Sequence, residues 1–339
     1  MINKENVTIY PWQTDVWALL NADRLRLPHA LLLHGRAGIG KYDFARYLSL
    51  SLLCGNKSEL GHACGLCSSC NWFKEDSHPD FRLLSPEQDA DAEDETVNTK
   101  KTKKKTQISV DQIRGLRDFL GLTSHRSDGL RLVLIHPAEA LNTASANALL
   151  KMLEEPSAGL IFILVAHQMD RLLPTIISRC QKISMPIPNE VHALQWLSEQ
   201  GVKNAKQQLV YFNDSPIKAM NEQQQLSNLT EIWRLLALGD KLQAHIAAPI
   251  LIENSVEAGI IALQKWLYDI VLMRFTQQIH YHLAHIESLR ALAEKANLQG
   301  LLQIQKKINE WRKTALHPLN HDLQMESLLI EYAKIFTGK

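Results

Sequence analysis

Residues 30–42 read Ala-Leu-Leu-Leu-His-Gly-Arg-Ala-Gly-Ile-Gly-Lys-Tyr, and this stretch indicates the fold class. An apolar run leads into a glycine-rich loop, and a helix with apolar residues at helical spacing is expected over 41–53. A strand, a glycine loop and a helix in this order are the setting of a phosphate-binding loop. The pattern G-x-x-x-x-G-K is complete through Lys41, but Tyr42 follows where Ser or Thr normally holds Mg²⁺.

The glycines of this loop are the candidate nucleotide-binding residues. Gly35, Gly38 and Gly40 let backbone N–H groups approach phosphates, and the N-terminus of the following helix favours anions. Lys41 can reach the terminal phosphates of a bound nucleotide. The alternative is a glycine turn between a strand and a helix that binds no ligand, and the sequence leaves both interpretations open.

A second position that hydrolysis requires is also missing. Mg²⁺ is normally held by a carboxylate at the tip of a neighbouring strand. The predicted strand 132–135 is followed by His136 and Pro137, and Glu139 falls inside the next turn rather than at the tip. Because two Mg²⁺-handling positions are lost together, we expect no intrinsic ATPase activity.

The first half of the chain alternates short apolar runs with helical segments, which predicts a parallel sheet flanked by helices. Further strands are expected at 161–165 and 182–185, and after Pro188 the pattern is helical. We therefore expect an α/β P-loop module, a small helical domain and a longer all-α domain, at residues 1–187, 188–230 and 231–339.

A charged segment interrupts the first half at residues 87–105. Six acidic residues at 87–95 precede five lysines at 100–105, with few apolar residues between them. Such a segment cannot bury enough surface to become ordered, which favours a solvated loop. A basic finger on DNA is the functional alternative.

Composition limits the classes of partner. The 339 residues carry a formal net charge of +1, so no global field favours nucleic acid or a membrane surface. The longest apolar run, Leu160–Ala166, is far shorter than the roughly 20 residues of a membrane helix. Residues 1–13 lack the apolar region of a secretion signal. We expect a cytoplasmic protein without a membrane contact.

Four of the five cysteines are clustered with the spacing C-x9-C-x2-C-x2-C. They are Cys54, Cys64, Cys67 and Cys70. Four thiolates this close in sequence can complete a tetrahedral Zn²⁺ shell, which leaves no position for water and predicts a structural rather than a catalytic zinc. Buried thiols without a metal are the alternative, and His62 and His78 lie near enough in sequence to replace a ligand.

Several segments together resemble the clamp-loader branch of the AAA+ proteins. They are His-Ala-Leu-Leu-Leu-His-Gly at 29–35, the cysteine cluster, Ala-Asn-Ala-Leu-Leu-Lys-Met-Leu-Glu-Glu-Pro at 146–156, and Asp-Arg-Leu-Leu-Pro-Thr-Ile-Ile-Ser-Arg-Cys at 170–180. The resemblance is dense over residues 10–185. Beyond that range it rests on the helical layout alone.

The resemblance implies an ATPase-like module, a helical lid and a collar that assembles a five-subunit ring. It implies a non-hydrolysing subunit beside the gamma/tau motor subunits and the clamp-opening delta subunit, which helps to load a sliding clamp on primed DNA. The family's Ser-Arg-Cys arginine inserts into a neighbour's ATP site, and the matching residue is Arg179. Taken alone, an arginine here is an ordinary surface residue.

Two departures from active relatives reinforce the inactive interpretation. Ala166 and His167 end a strand where active members carry Thr or Ser, and Lys218 stands near the position of a lid arginine. Two other functions remain as alternatives: an active gamma/tau-type ATPase and a stand-alone zinc-containing DNA-binding module. Tyr42 and His136 argue against the first, and the near-neutral charge argues against the second.

Overall fold

The computed structural model describes most of the chain, at residues 9–22, 27–86, 107–121, 129–314 and 321–337. The described residues form two compact units, one ending at His192 and the other beginning at Ala193. The charged segment 87–105 lies outside the described residues, so its interpretation stays a prediction.

A parallel five-stranded sheet forms the centre of the first unit. Its strands are β1 Ala30–His34, β2 Phe81–Leu84, β3 Arg131–Ile135, β4 Leu160–Ala166 and β5 Gln181–Ser184. Their order is β2-β3-β4-β1-β5, and every neighbouring pair is parallel. Both faces are covered: Leu31 and Leu33 pack into one apolar cluster, and Ala30 and Leu32 into another. Burial on both faces explains the uninterrupted apolar runs.

The described residues before Pro188 include the helices α1 Thr14–Ala22, α2 Lys41–Leu53, α3 Ser68–Lys74, α4 Val110–Gly121, α5 Thr143–Glu154 and α6 Pro174–Ile177. The side chain of Asn142 caps α5 by accepting a hydrogen bond from the N–H of Ser145. At α4, Ser109 and Gln112 bond each other's backbone N–H groups and fix where the helix begins.

The second unit is helical throughout its described residues. Its helices are α7 Glu190–Glu199, which spans the boundary, α8 Ala205–Tyr211, α9 Pro216–Asn221, α10 Gln223–Leu236, α11 Ala244–Ile252, α12 Val256–Thr276, α13 Ile286–Lys295, α14 Leu298–Thr314 and α15 His321–Lys334. One apolar cluster extends from Ala193 to Phe336. The predicted fold class, a parallel α/β module followed by helices, is confirmed. The finer division into three domains stays a prediction.

One lysine of the second unit is buried against aromatic rings. Lys265 on α12 is 9% exposed, and its Nζ donates a hydrogen bond to the Tyr211 carbonyl. The same atom lies 3.8 Å from the centre of the Tyr211 ring and 5.1 Å from that of Tyr281. Burial, with a smaller contribution from Lys218, lowers the pKa of Lys265 to about 8.

Within the described ranges, no single helix is long and apolar enough to cross a membrane. The pair α11 and α12 reaches that length and composition only when the two are joined across a bend of 118°.

Candidate functional site

The glycine loop follows β1 and ends at the first residue of α2. Gly38 and Gly40 have φ values of 77° and 84°, a conformation that glycine adopts without strain. At Gly35, where φ is 147°, a Cβ would also stand 3.2 Å from the Met185 carbonyl oxygen, so backbone conformation and close approach both favour glycine. The structure therefore brings the predicted loop residues together at the N-terminus of a helix, where backbone N–H groups favour an anion.

Lys41 is folded back onto this loop. The residue is 2% exposed, and Nζ donates hydrogen bonds to the carbonyl oxygens of Gly35, at 2.7 Å, and Arg36. Burial lowers the pKa of Lys41 to about 8, although the Glu139 carboxylate opposes the shift. The ammonium group that would meet a terminal phosphate is thus hydrogen-bonded inside its own chain.

Side chains from the N-terminal segment hold the other end of the loop. The Trp12 indole N–H donates to the Ile39 carbonyl at 3.0 Å, and the Gln13 amide donates to the carbonyls of Ile39 and Gly40, each at 3.0 Å. Gln13 is fully buried. Sequence reasoning missed these two contacts, because the partners are 26 and 27 residues apart in the chain. The Tyr-Pro-Trp string at 10–12 marks this segment in the sequence but does not identify its partners.

The two positions that normally handle Mg²⁺ carry aromatic rings in contact. The Tyr42 and His136 ring centres are 4.5 Å apart, and the His167 ring lies 5.4 Å from His136. Burial, together with nearby His167 and Lys41, lowers the pKa of His136 to about 4, so the imidazole is neutral. Glu139 accepts a hydrogen bond from the His167 backbone N–H at 3.0 Å, which gives its carboxylate a role inside the fold.

The four clustered cysteines converge between the end of α2 and the start of α3. Their Sγ atoms all lie within 4.8 Å of one another, and four of the separations are 3.5, 3.6, 3.9 and 3.9 Å. Four sulfurs about 2.3 Å from a central ion would be about 3.8 Å apart, so the set fits a tetrahedral metal site. The four cysteines could therefore hold a metal ion.

The two nearby histidines have other partners. A ring nitrogen of His62 is 3.0 Å from the Tyr47 hydroxyl, and one of His78 is 2.8 Å from the Ser69 hydroxyl. Neither belongs to the group of potential metal ligands found among the described residues.

Arg179 follows α6, with 35% of its side chain exposed. Its Nη2 lies 2.5 Å from Oε1 of Glu154, and its Nη1 donates to the Thr175 carbonyl at 3.0 Å. Cys180, the next residue, is buried. Among the described residues, the contacts of Arg179 are with α5, α6 and its own motif, so the structure does not bring this arginine to the glycine loop of the same chain.

Lys218, the stand-in for a lid arginine, lines a cavity of the second unit. This cavity has a volume of about 720 Å³, and its other lining residues include Tyr211, Lys265, Tyr268 and Tyr281. Sequence reasoning gave no indication of it, because its walls come from helices far apart in the chain.

Comparison with known proteins identifies the family. A family model described as DNA polymerase III, delta subunit, matches residues 13–189. The DNA polymerase III subunit delta' of Pseudomonas aeruginosa is 32% identical over 96% of this chain and 98% of its own length. The Haemophilus influenzae subunit is 33% identical over 58% of this chain and 55% of its own length, and that of Yersinia pestis 37% identical over 56% and 52%. The resemblance inferred from the motifs is thus confirmed: the chain belongs to the family of DNA polymerase III delta prime subunits.

Proposed function

We propose that this chain is a non-hydrolysing subunit of the DNA polymerase III clamp loader, which acts with gamma/tau and delta subunits to load the sliding clamp on primed DNA. Its nearly full-length similarity to a delta' subunit supports this role. In the proposal the chain binds no catalytic Mg²⁺ and supplies Arg179 to the ATP site of a neighbouring subunit.

The contact between Tyr42 and His136 is the observation that carries the non-hydrolysing role. Mg²⁺ prefers oxygen ligands in octahedral geometry. A phenol ring packed 4.5 Å from a neutral imidazole offers no carboxylate and no short hydroxyl at either position. The internal hydrogen bonds of Lys41 add a second cost, because they must break before the ammonium can reach a nucleotide.

The exposure of Arg179 supports its role in trans. A fixed guanidinium stabilises the charge that develops on a transferred phosphoryl group, and such a group contributes roughly 10³–10⁵ in rate. About a third of the side chain remains open to a neighbouring molecule, while Cys180 anchors the adjacent backbone in the core.

The cysteine cluster supports a structural zinc in the same proposal. Cys54, Cys64, Cys67 and Cys70 would complete a four-sulfur shell with no open position. A zinc bound there would join the end of α2 to α3 and would supply no chemistry to the loading reaction.

The test is ATP hydrolysis by a reconstituted loader, stimulated by DNA and clamp. We would compare the unmodified chain with Arg179→Ala and with Arg171→Ala, an exposed arginine eight residues earlier. We expect Arg179→Ala to lower ATP turnover at the neighbouring site by on the order of 10³-fold, and Arg171→Ala to leave this turnover unchanged. Equal turnover of an intact complex with Arg179→Ala would overturn the trans role. Failure of the unmodified chain to assemble would overturn the clamp-loader role.

A further inference from the structure

An ion pair links Arg179 to the end of α5, a contact that the Ser-Arg-Cys motif alone does not predict. Glu154 is the last residue of α5, and its Oε1 lies 2.5 Å from Nη2 of Arg179. The two side chains are 48% and 35% exposed. Their backbones are anchored, because the adjacent Leu153 and Cys180 are buried in the same apolar cluster.

A second contact holds the other arm of the guanidinium. Nη1 donates to the Thr175 carbonyl at 3.0 Å, so the two arms are held by different elements. These two contacts, together with the covalent attachment through Nε, fix the plane of the group, and the remaining N–H groups of the five-donor fork are left for a phosphate. Without these contacts, a long and flexible side chain would have to be ordered in each reaction.

We propose that Glu154 is a positioning residue for Arg179, which holds the guanidinium in the orientation that enters the neighbour's ATP site. The inference rests on the proposed function, since it needs Arg179 to act in trans. Glu154 itself contacts no nucleotide in this proposal. It acts by keeping the arginine preorganised, so that ordering is complete before charge develops on the phosphoryl group.

The adjacent residue provides a matched control. Glu155 is also exposed and lies at the same helix end, but within the described part of the chain it makes no ion pair. The sequence Leu-Glu-Glu-Pro at 153–156 does not distinguish the two carboxylates, whereas the structure assigns the role to Glu154 alone.

The experiment measures ATP turnover of the reconstituted loader with Glu154→Gln, Glu155→Gln, Arg179→Ala and the double variant Glu154→Gln/Arg179→Ala. The Arg179-dependent turnover is the difference between the unmodified chain and Arg179→Ala. We expect Glu154→Gln to lower the kcat of the Arg179-dependent turnover by about two- to fivefold, because a half-exposed ion pair is lost. The KM for ATP should not change, because the neighbour's own loop binds the ground state.

Glu155→Gln should leave kcat unchanged, and Glu154→Gln should have no further effect once Arg179 is alanine. An equal effect of both glutamine variants, an effect that persists without Arg179, or a rise in kcat would overturn the inference. If Arg179→Ala lowers turnover and Glu154→Gln does not, only the positioning role fails. If Arg179→Ala changes nothing in an intact complex, the proposed trans function fails first.

Discussion

Tyr42 and Lys41 are neighbours in the glycine loop, and each departs from a working phosphate site in a different way. Tyr42 replaces a short hydroxyl with a ring that packs on His136. Position 41 has the expected lysine, but its ammonium group donates hydrogen bonds to carbonyl oxygens of its own loop. The first is a change of residue and visible in sequence. The second is a matter of conformation and visible only in the structure.

Restoring the hydroxyl should not restore hydrolysis. We expect Tyr42→Thr to give no Mg²⁺-dependent ATP turnover by the isolated chain, because position 136 still carries a neutral imidazole in place of a carboxylate. Steady-state phosphate release by the purified variant and the unmodified chain measures this. Mg²⁺-dependent turnover by the unmodified chain would contradict the non-hydrolysing role, and turnover by the variant alone would show that His136 does not block hydrolysis.

The buried lysine on α12 gives a prediction on pH. The pKa of Lys265 is about 8 in the folded chain and about 10.4 when unfolded. Between these values the unfolded chain binds more protons, so the free energy of unfolding rises with pH in this window. Below about pH 8 Lys265 is charged in both the folded and the unfolded chain, so the full cost of burying the charge lowers the free energy of unfolding. Lys265→Met should therefore stabilise the chain near pH 7 by on the order of 2 kcal/mol.

Urea denaturation at about pH 7 and about pH 10 tests this, with the exposed Lys241→Met as the control. The advantage of Lys265→Met should shrink as the pH rises, and Lys241→Met should show no such trend. A Lys265→Met variant that is less stable near pH 7 would indicate that the contacts with Tyr211 outweigh the burial cost.

Among the elements, strands and helices with a strong apolar pattern were predictable. The helix expected over 41–53 has those bounds, and the strand expected at 161–165 is β4, Leu160–Ala166. The strand β2 was not predicted, because its four residues include the exposed Arg82 and because it lies at the sheet edge, where it pairs with β3.

The cysteine cluster was predictable because its four potential ligands are close together in the sequence. The Trp12 and Glu154 contacts were not, since they depend on how distant elements pack.

The cluster of four cysteines provides a prediction at the scale of an element. We expect one zinc per gently purified chain, and Cys67→Ser should lose most of it, because three thiolates bind more weakly than four. Cys180→Ser is the matched control, since Cys180 lies outside the cluster. Metal analysis gives the stoichiometry, and hydrogen exchange should show faster exchange in α3 after zinc removal. Purified chain without zinc would contradict the assignment.

At the scale of the whole molecule, the two units have separate apolar clusters. Those of the first unit surround the sheet, and that of the second begins at Ala193 on α7. Because Ala193 and Leu197 pack with the second unit, a division before α7 keeps each cluster whole. The parallel sheet and the helical second half were predictable from periodicity. The packing of the second unit was not, since apolar stripes do not specify which helices meet.

Separate expression tests this organisation. We expect fragments 1–188 and 189–339 each to fold, because each retains its complete apolar cluster. Circular dichroism and thermal unfolding would measure the folding of each fragment. A fragment 1–199, in which α7 is separated from the apolar cluster of the second unit, serves as the comparison. Absence of cooperative unfolding in fragment 189–339 would mean that the second unit requires the first.

The hydrogen bond from Trp12 to the Ile39 carbonyl gives the glycine loop a built-in spectroscopic reporter. An indole that donates to a carbonyl has a resonance and an emission that change when this bond is broken. The chain has seven tryptophans, so a fluorine label with Trp12→Phe as the assignment control would isolate the signal. In the proposed loader, such a label would record in real time whether this hydrogen bond stays formed during ATP hydrolysis.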